Sequence, residues 1–284
     1  MFVSLEGAPA AAAIKARTEK ILAGLRVKGI CPTLGVVRVG SKPGDLSYEK
    51  GLRKRCAELQ MELTVRELPA DACEEAVLEA VRAFNEDAGV HGILVFRPLP
   101  AGVDERKVCD AVSPAKDVDG ASSRSLAGLL TGVQEGFTPS CPQAAMEILD
   151  HYGIDPAGRR AAVLGRSLVV GRPLALLLTS RDATVTVCHS RSTDTKEQAK
   201  AADILIAATG RPGMVDADYL REGQTVLDIG LSWDEKKQKL SGDVDTEAAK
   251  QAGCALSPVP GGVGSVCNAV LMLHVAEAAA RSLR

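Results

Sequence analysis

Aromatic side chains are scarce in this chain: one Trp, three Tyr and four Phe in 284 residues. Its cores must therefore be built from Ala, Val, Leu and Ile. Basic clusters are missing too. With Lys and Arg scattered and a formal charge of −2, no positive field is available for nucleic acid, and no nucleic-acid partner is expected. No apolar run approaches the roughly 18–20 residues that cross a bilayer, so no membrane partner is expected either. The N-terminus shows no basic region ahead of an apolar stretch, which argues against a signal peptide. The eight cysteines (31, 56, 73, 109, 141, 188, 254 and 267) form no CxxC pair, and Cys188-His189 is the one Cys/His adjacency. They read as reduced thiols in a cytoplasmic protein, with no metal site.

What is present is an alternation of helical and extended segments, over a length that suits two domains. Helical spacing covers 8–28, 45–59 and 71–86, with strand candidates at 34–39, 62–68 and 92–95. A second series places strands at 160–164, 184–188, 204–208 and 225–228, with helices at 171–179 and 195–202. This βαβ pattern predicts α/β lobes with parallel sheets. Residues 120–136, small and polar, are expected to cross between the lobes, and 233–242 to form an exposed hairpin. The last helix, about 265–283, finds no partner in the second series and is expected to return to the first lobe. The predicted domains are thus 1–120 with 265–284, and a Rossmann-like 121–264, with a ligand cleft between them.

Pro258-Val259-Pro260-Gly261-Gly262-Val263-Gly264 links the strand-like 255–258 to that last helix. Prolines fix φ and glycines remove Cβ, so this bend is rigid yet open to close approach by a ligand. Taken alone it is equally a tight turn. The strand 161–164 runs into Gly165-Arg166-Ser167-Leu168-Val169-Val170-Gly171-Arg172-Pro173. Strand, turn and helix start form the context of a dinucleotide fingerprint, although Ser167 replaces its middle glycine. The N–H groups opening the Gly171 helix can take a pyrophosphate, and Pro173 suits the first helical turn. NAD enzymes usually carry a carboxylate after the next strand. Here that strand ends in His189-Ser190-Arg191, and no carboxylate appears before Asp194. Arg166, Arg191 and Ser190 make a receptor for a 2′-phosphate. The predicted cofactor is NADP.

Together with Lys116-Asp117-Val118-Asp119-Gly120, these two motifs resemble the bifunctional methylenetetrahydrofolate dehydrogenase/methenyltetrahydrofolate cyclohydrolase family. The resemblance spans essentially the whole chain. It implies NADP-dependent oxidation of 5,10-methylenetetrahydrofolate, hydrolysis of the methenyl product to 10-formyltetrahydrofolate, and a homodimer. It places the cofactor on Gly165, Arg166, Ser167, Val170, Gly171, Pro173, His189, Ser190 and Arg191, with Arg166, Ser167, Ser190 and Arg191 on the adenosine phosphate. The nicotinamide falls to Thr209, Gly210, Ile229 and Gly230. The folate falls to Tyr48, Phe96, Pro98, Leu99, Asp119, Pro260, Gly261 and Gly262, with Asp119 facing the pterin donors. An Asx-type turn at Asp119-Gly120 is the plainer reading of the same residues, and Asp117 is read as supporting the loop.

The chain departs from the family where a Tyr-x-x-x-Lys pattern is expected. Tyr48 is present, but Leu52 stands in the lysine's place. Phe96 occupies the position of a family glutamine, and Ser265-Val266-Cys267 that of Pro-Met-Thr. Hydride transfer depends on positioning, whereas hydrolysis needs a group of tunable pKa. Hydrolysis is therefore expected to be weakened. Arg55 or Lys54 is the candidate substitute, Arg55 as a charge only because guanidinium does not deprotonate. His91, His151 and His274 read as structural. Asp228 is read as capping a turn, and Asp243 as structural. Two other functions fit the pattern: a shikimate dehydrogenase-like NADP oxidoreductase, and a catalytically silent folate- or NADP-binding module.

Overall fold

The computed structural model describes residues 1–133, 135–235 and 238–283. The chain divides into two compact units, Met1–Ala13 with Cys141–Ala269 and Ile14–Ser140 with Val270–Arg284. Elements are numbered along the chain.

The first unit holds a six-stranded, all-parallel sheet. Its strands are β1 (Val3–Ser4), β5 (Arg160–Leu164), β6 (Thr184–Cys188), β7 (Ile204–Ala207), β8 (Thr225–Asp228) and β11 (Ala255–Ser257), in the order β1-β11-β8-β7-β5-β6. From β5 the chain goes to β6 on one side and then to β7 on the other. β5/β7 is thus the switch point where ligands of such sheets collect. The central strands β7 and β8 are buried throughout, as strands covered on both faces must be. The helices are α6 (Ser140–His151), α7 (Gly171–Thr179), α8 (Thr195–Ala201) and α9 (Thr246–Ala252). The expected hairpin is β9 (Ser232–Asp234) against antiparallel β10 (Lys239–Ser241), and residues 236–237 within it lie outside the described residues.

The second unit is built on a three-stranded parallel sheet, β3 (Glu62–Leu68), β2 (Thr33–Val39) and β4 (Gly92–Val95), with β2 central and wholly buried. Helix α2 (Pro43–Leu59) buries Glu49, Leu52, Cys56 and Leu59, a stripe recurring every three to four residues. Helix α3 (Glu74–Glu86) does the same with Val77, Leu78, Val81 and Phe84. Two more helices are α4 (Glu105–Ala111) and α5 (Ser123–Thr131). Helix α1 (Gly7–Val27) contributes Leu22 and Leu25 to this core, and α10 (Val263–Arg281) contributes Leu271, Met272, Val275 and Ala276. The last helix therefore returns to the lobe built from the first βαβ series, here the three-stranded unit, as expected.

Two sequence expectations are corrected. Residues 120–136 are more than a crossing: Ser122 accepts from Ser125 N–H and Gly132 closes α5 in the left-handed region, a pair of capping signals that escaped notice. Position 134 of that stretch lies outside the described residues. Residues 1–13 group with the six-stranded unit, where β1 pairs with β11, and 14–140 with the three-stranded one. Helix α10 is long and apolar enough, by length and composition, to cross a bilayer. Its apolar residues are spent in the protein's interior, each fully buried Leu or Val contributing about 1.5–3 kcal/mol there.

Within α10, His274 is buried. Its Nδ1 donates to the Val118 carbonyl at 2.8 Å, and its ring lies 4.8 Å from that of Phe137. Burial pushes its pKa down to about 4. The unfolded chain thus takes up a proton near the ordinary histidine value, while the folded one resists. The contribution is complete above pH 6.5 and is lost as pH falls toward 4, by about 3 kcal/mol. Melting temperature should accordingly drop more steeply between pH 7 and pH 4 for the wild type than for His274→Gln. Equal slopes would show that this ring does not titrate with folding.

Candidate functional site

In the six-stranded unit the ends of β5, β6 and β7 surround a cavity of about 460 Å³. Its walls include Gly165, Arg166 and Ser167 after β5, His189, Ser190 and Ser192 after β6, and Ala208, Thr209 and Arg211 after β7. The glycines of the fingerprint are required by distance. A Cβ on Gly165, where φ is +126°, would lie 2.3 Å from the Ala208 carbonyl oxygen. One on Gly171 would lie 2.2 Å from that of Gly165. The turn must pass this close to seat α7 against the sheet. Ser167 fills the place of the missing glycine by accepting at Oγ from the N–H groups of Val170 (3.1 Å) and Gly171 (3.4 Å). Pro173 is buried in the first turn of α7.

The turn after β6 is closed on itself. Ser192 Oγ accepts from His189 N–H at 3.1 Å, and His189 Nδ1 accepts from Arg191 N–H at 3.2 Å, which places the ring proton on Nε2. Arg191 stands exposed on this turn and is not part of the cavity wall, whereas Arg166 is. The second guanidinium-bearing residue of the wall is Arg211, which the sequence reading missed by stopping at Thr209-Gly210. Ser192, Thr195 and Tyr219 were missed with it; Ser192 and Thr195 could have been suspected from their place in the segment after β6, whereas Tyr219, on the turn 217–219, carried no such signal.

The rim after β7 and β8 rests on two buried carboxylates. Asp243 accepts from the N–H groups of Thr209, Gly210 (3.1 Å) and Arg211 (2.8 Å). Asp228 accepts from Gly230 (3.1 Å), Asp243 (3.0 Å) and Val244 (2.9 Å). Burial pushes the Asp228 carboxyl up to about 7, with the Asp243 charge adding to it and the backbone donors opposing. Ile229 is half-buried and Gly230 buried beside this pair. In the same unit the Pro-Gly bend is held by backbone bonds, Gly262 N–H to the Pro258 carbonyl at 2.7 Å and Gly7 N–H to that of Gly261 at 2.8 Å. Pro260 and Gly261 remain exposed, and Gly262 is buried.

The three-stranded unit carries the remaining predicted residues. Tyr48, 42% exposed, packs its ring against Phe96 with centroids 5.4 Å apart. Leu52 is 0% exposed and shares a core cluster with Phe96, Leu94, Cys56 and Phe137. Neither candidate substitute for a lysine turns inward alongside it. The Lys54 side chain is 80% exposed with Glu58 at 4.0 Å, and Arg55 donates to the Gly51 carbonyl of its own helix at 3.3 Å. Glu49 instead turns inward to Arg38, Nε to Oε2 2.9 Å, tying α2 to β2. Pro98 and Leu99 follow β4, where the Pro98 carbonyl accepts from Lys42 Nζ at 3.3 Å.

Each residue of the KDVDG motif has a distinct place. Lys116 Nζ donates to the carbonyls of Phe84, Asn85 and Asp87, closing the C-terminal end of α3. Asp117 accepts from Ala121 N–H, Ser122 N–H and Ser125 Oγ–H, as a loop support does. A Cβ on Gly120 would lie 2.5 Å from Pro139 N, so only glycine fits. Asp119 does not close an Asx turn; its Oδ2 accepts from Arg97 Nη2 at 2.8 Å.

A two-unit α/β protein with a dinucleotide crevice at its switch point is the class these features define. Residues 5–119 match the family model for the tetrahydrofolate dehydrogenase/cyclohydrolase catalytic domain, and residues 139–283 match its NAD(P)-binding domain. The chain belongs to the tetrahydrofolate dehydrogenase/cyclohydrolase family. It is 44% identical over 275 residues to the bifunctional protein FolD of Carboxydothermus hydrogenoformans, covering 96% of each chain. Against that of Clostridium kluyveri it is 41% identical over 278 residues, covering 98% of each. Among solved structures, the Campylobacter jejuni FolD dehydrogenase/cyclohydrolase superposes with a TM-score of 0.95 at 33% identity, covering 99% of both chains. The Trypanosoma brucei enzyme, solved with NADP and an inhibitor, gives 0.92 at 32%, covering 100% of this chain and 99% of that one.

Arg166→Ala should raise the KM for NADP by roughly tenfold or more, in line with the 1.5–3 kcal/mol of a charged hydrogen bond. KM for NAD should change by less than about threefold, since only the 2′-phosphate contact is lost. Steady-state kinetics with both cofactors decides it; equal effects would remove Arg166 from that role.

Proposed function

We propose that the protein oxidises 5,10-methylenetetrahydrofolate to 5,10-methenyltetrahydrofolate with NADP, and hydrolyses the product to 10-formyltetrahydrofolate only slowly. The observation that carries the first part is the glycine-built crevice at the β5/β7 switch point, in a chain that belongs along its length to this family. Two of its wall residues, Arg166 and Ser190, suit a phosphate. NADP held there supplies a hydride acceptor. The chain's own part is to fix the two reactants, and positioning accounts for most of such a step. In this reading Tyr48 offers a flat surface to the pterin, Asp119 accepts its N–H donors, and the exposed Pro260-Gly261 bend lets a ligand approach the backbone.

The second part rests on Leu52 and Phe96. A water attacking the methenyl carbon requires a nearby group that exchanges protons at neutral pH. The buried stripe of α2 offers an isobutyl group there, the adjoining strand end a phenyl ring, and Lys54 is paired with Glu58. By resemblance the protein is further proposed to be a cytoplasmic homodimer.

Mixing the protein with 5,10-methylenetetrahydrofolate and NADP should raise absorbance at the reduced-nicotinamide band, and NAD should serve less well. A silent binding module would leave that band flat. Methenyltetrahydrofolate should meanwhile disappear at little more than its spontaneous rate. Leu52→Lys combined with Phe96→Gln should speed that loss by about a hundredfold, the low end for a placed acid–base group. Rapid hydrolysis by the wild type would refute the weakened second step.

A further inference from the structure

The guanidinium of Arg97 lies at the end of β4, and none of the roles above uses it. Its Nη2 donates to Asp119 Oδ2 at 2.8 Å, its Nη1 lies 4.0 Å from Glu105 on α4, and its side chain is 21% exposed. Asp119 keeps a quarter of its side-chain surface open, at 25%. The carboxylate is thus held on one side while part of it still faces outward.

We infer that Arg97 is a positioning residue for the substrate: it holds Asp119 as a fixed, charged acceptor and leaves the open side of the carboxylate for the donor edge of the pterin. This rests on the reading of Asp119 as the pterin's partner. A neutral carboxylic acid would present a hydroxyl where the ring presents N–H groups, so the acceptor has to be ionised. Several neighbours bear on that charge. The Asp119 carboxyl lies above its ordinary value: burial raises it most, Asp117, two residues earlier, adds to that, and Arg97 opposes both. The hydroxyl of Ser140, the residue that opens α6, donates to the Val118 carbonyl at 3.3 Å and also lowers the Asp119 value. On α4, Glu105 faces Arg97, and Cys109 stays a neutral thiol, pushed up to about 11 by burial. His274 of α10 holds the carbonyl of the preceding residue, Val118, and is itself neutral. Arg97 is the guanidinium that acts on the carboxylate in this group.

The test is calorimetric binding of tetrahydrofolate from pH 5 to pH 9 to the wild type, Arg97→Lys, Arg97→Leu and Asp119→Asn. Arg97→Leu should weaken binding about tenfold at pH 7 and move its acidic limb up by about one unit or more, because an opposite charge at contact holds a carboxylate pKa down by one to three units. Arg97→Lys should restore most of the wild-type profile, and Asp119→Asn should abolish the limb. A leucine variant with wild-type affinity and pH profile would overturn the inference, as would an acidic limb surviving in Asp119→Asn. The asparagine variant decides the matter even if the leucine variant fails to fold. Absence of tetrahydrofolate binding by the wild type at every pH would instead remove the functional reading beneath it.

Discussion

Two carboxylates inside the six-stranded unit carry the geometry on which its crevice depends. Loops leaving β7 and β8 present consecutive backbone N–H groups to the interior, and such donors cannot stay unpaired there. Asp228 and Asp243 take four of them, Asp228 also takes the N–H groups of Asp243 and Val244 after β10, and the Asp243 N–H links the two carboxylates. The arrangement dictates sequence around it: a Cβ on Gly230 would sit 2.2 Å from Asp243, and one on Gly242 would sit 2.0 Å from Asp228. Thr209, Gly210 and Arg211 are placed by this contact rather than by any packing of their own. The shape of the cofactor crevice therefore rests on residues that never face it.

In the three-stranded unit the governing choice is apolar. α2 turns Leu52 and Cys56 into the core, and Phe96 meets them from the end of β4. The resemblance puts a lysine and a glutamine at 52 and 96, a pair that would need partners for both polar groups. Leu and Phe need only each other, so the helix gains burial there. The charged groups of the unit lie elsewhere, Arg38 with Glu49 beneath Tyr48's helix and Arg97 with Asp119 beyond β4.

Much of this was legible in sequence. Apolar runs gave the central strands, and the spacing of Gly165, Ser167 and Gly171 gave the crevice, because both follow from local rules of burial and close approach. The roles of Lys116, Asp117 and Gly120 could be sensed only as a motif, since their partners lie on α3, on α5 and near Pro139. Arg97 escaped altogether. Nothing in Phe96-Arg97-Pro98 signals that its guanidinium reaches a carboxylate 22 positions on. α5 was missed for another reason: its Ser and Gly caps look like loop composition until paired with each other. The first strand, two residues long, had no periodicity to read, and its identity comes from β11 alone.

That pairing has a bearing on how the chain folds. Val3 of β1 pairs with Ala255 of β11, far along the chain, and the three-stranded unit depends likewise on the apolar turns of α10. Neither unit closes its core through contacts between neighbouring elements alone. Non-local closure of this kind slows folding and leaves apolar strand edges uncovered in the interval. The chain is thus expected to fold more slowly than one whose sheets close between neighbouring strands.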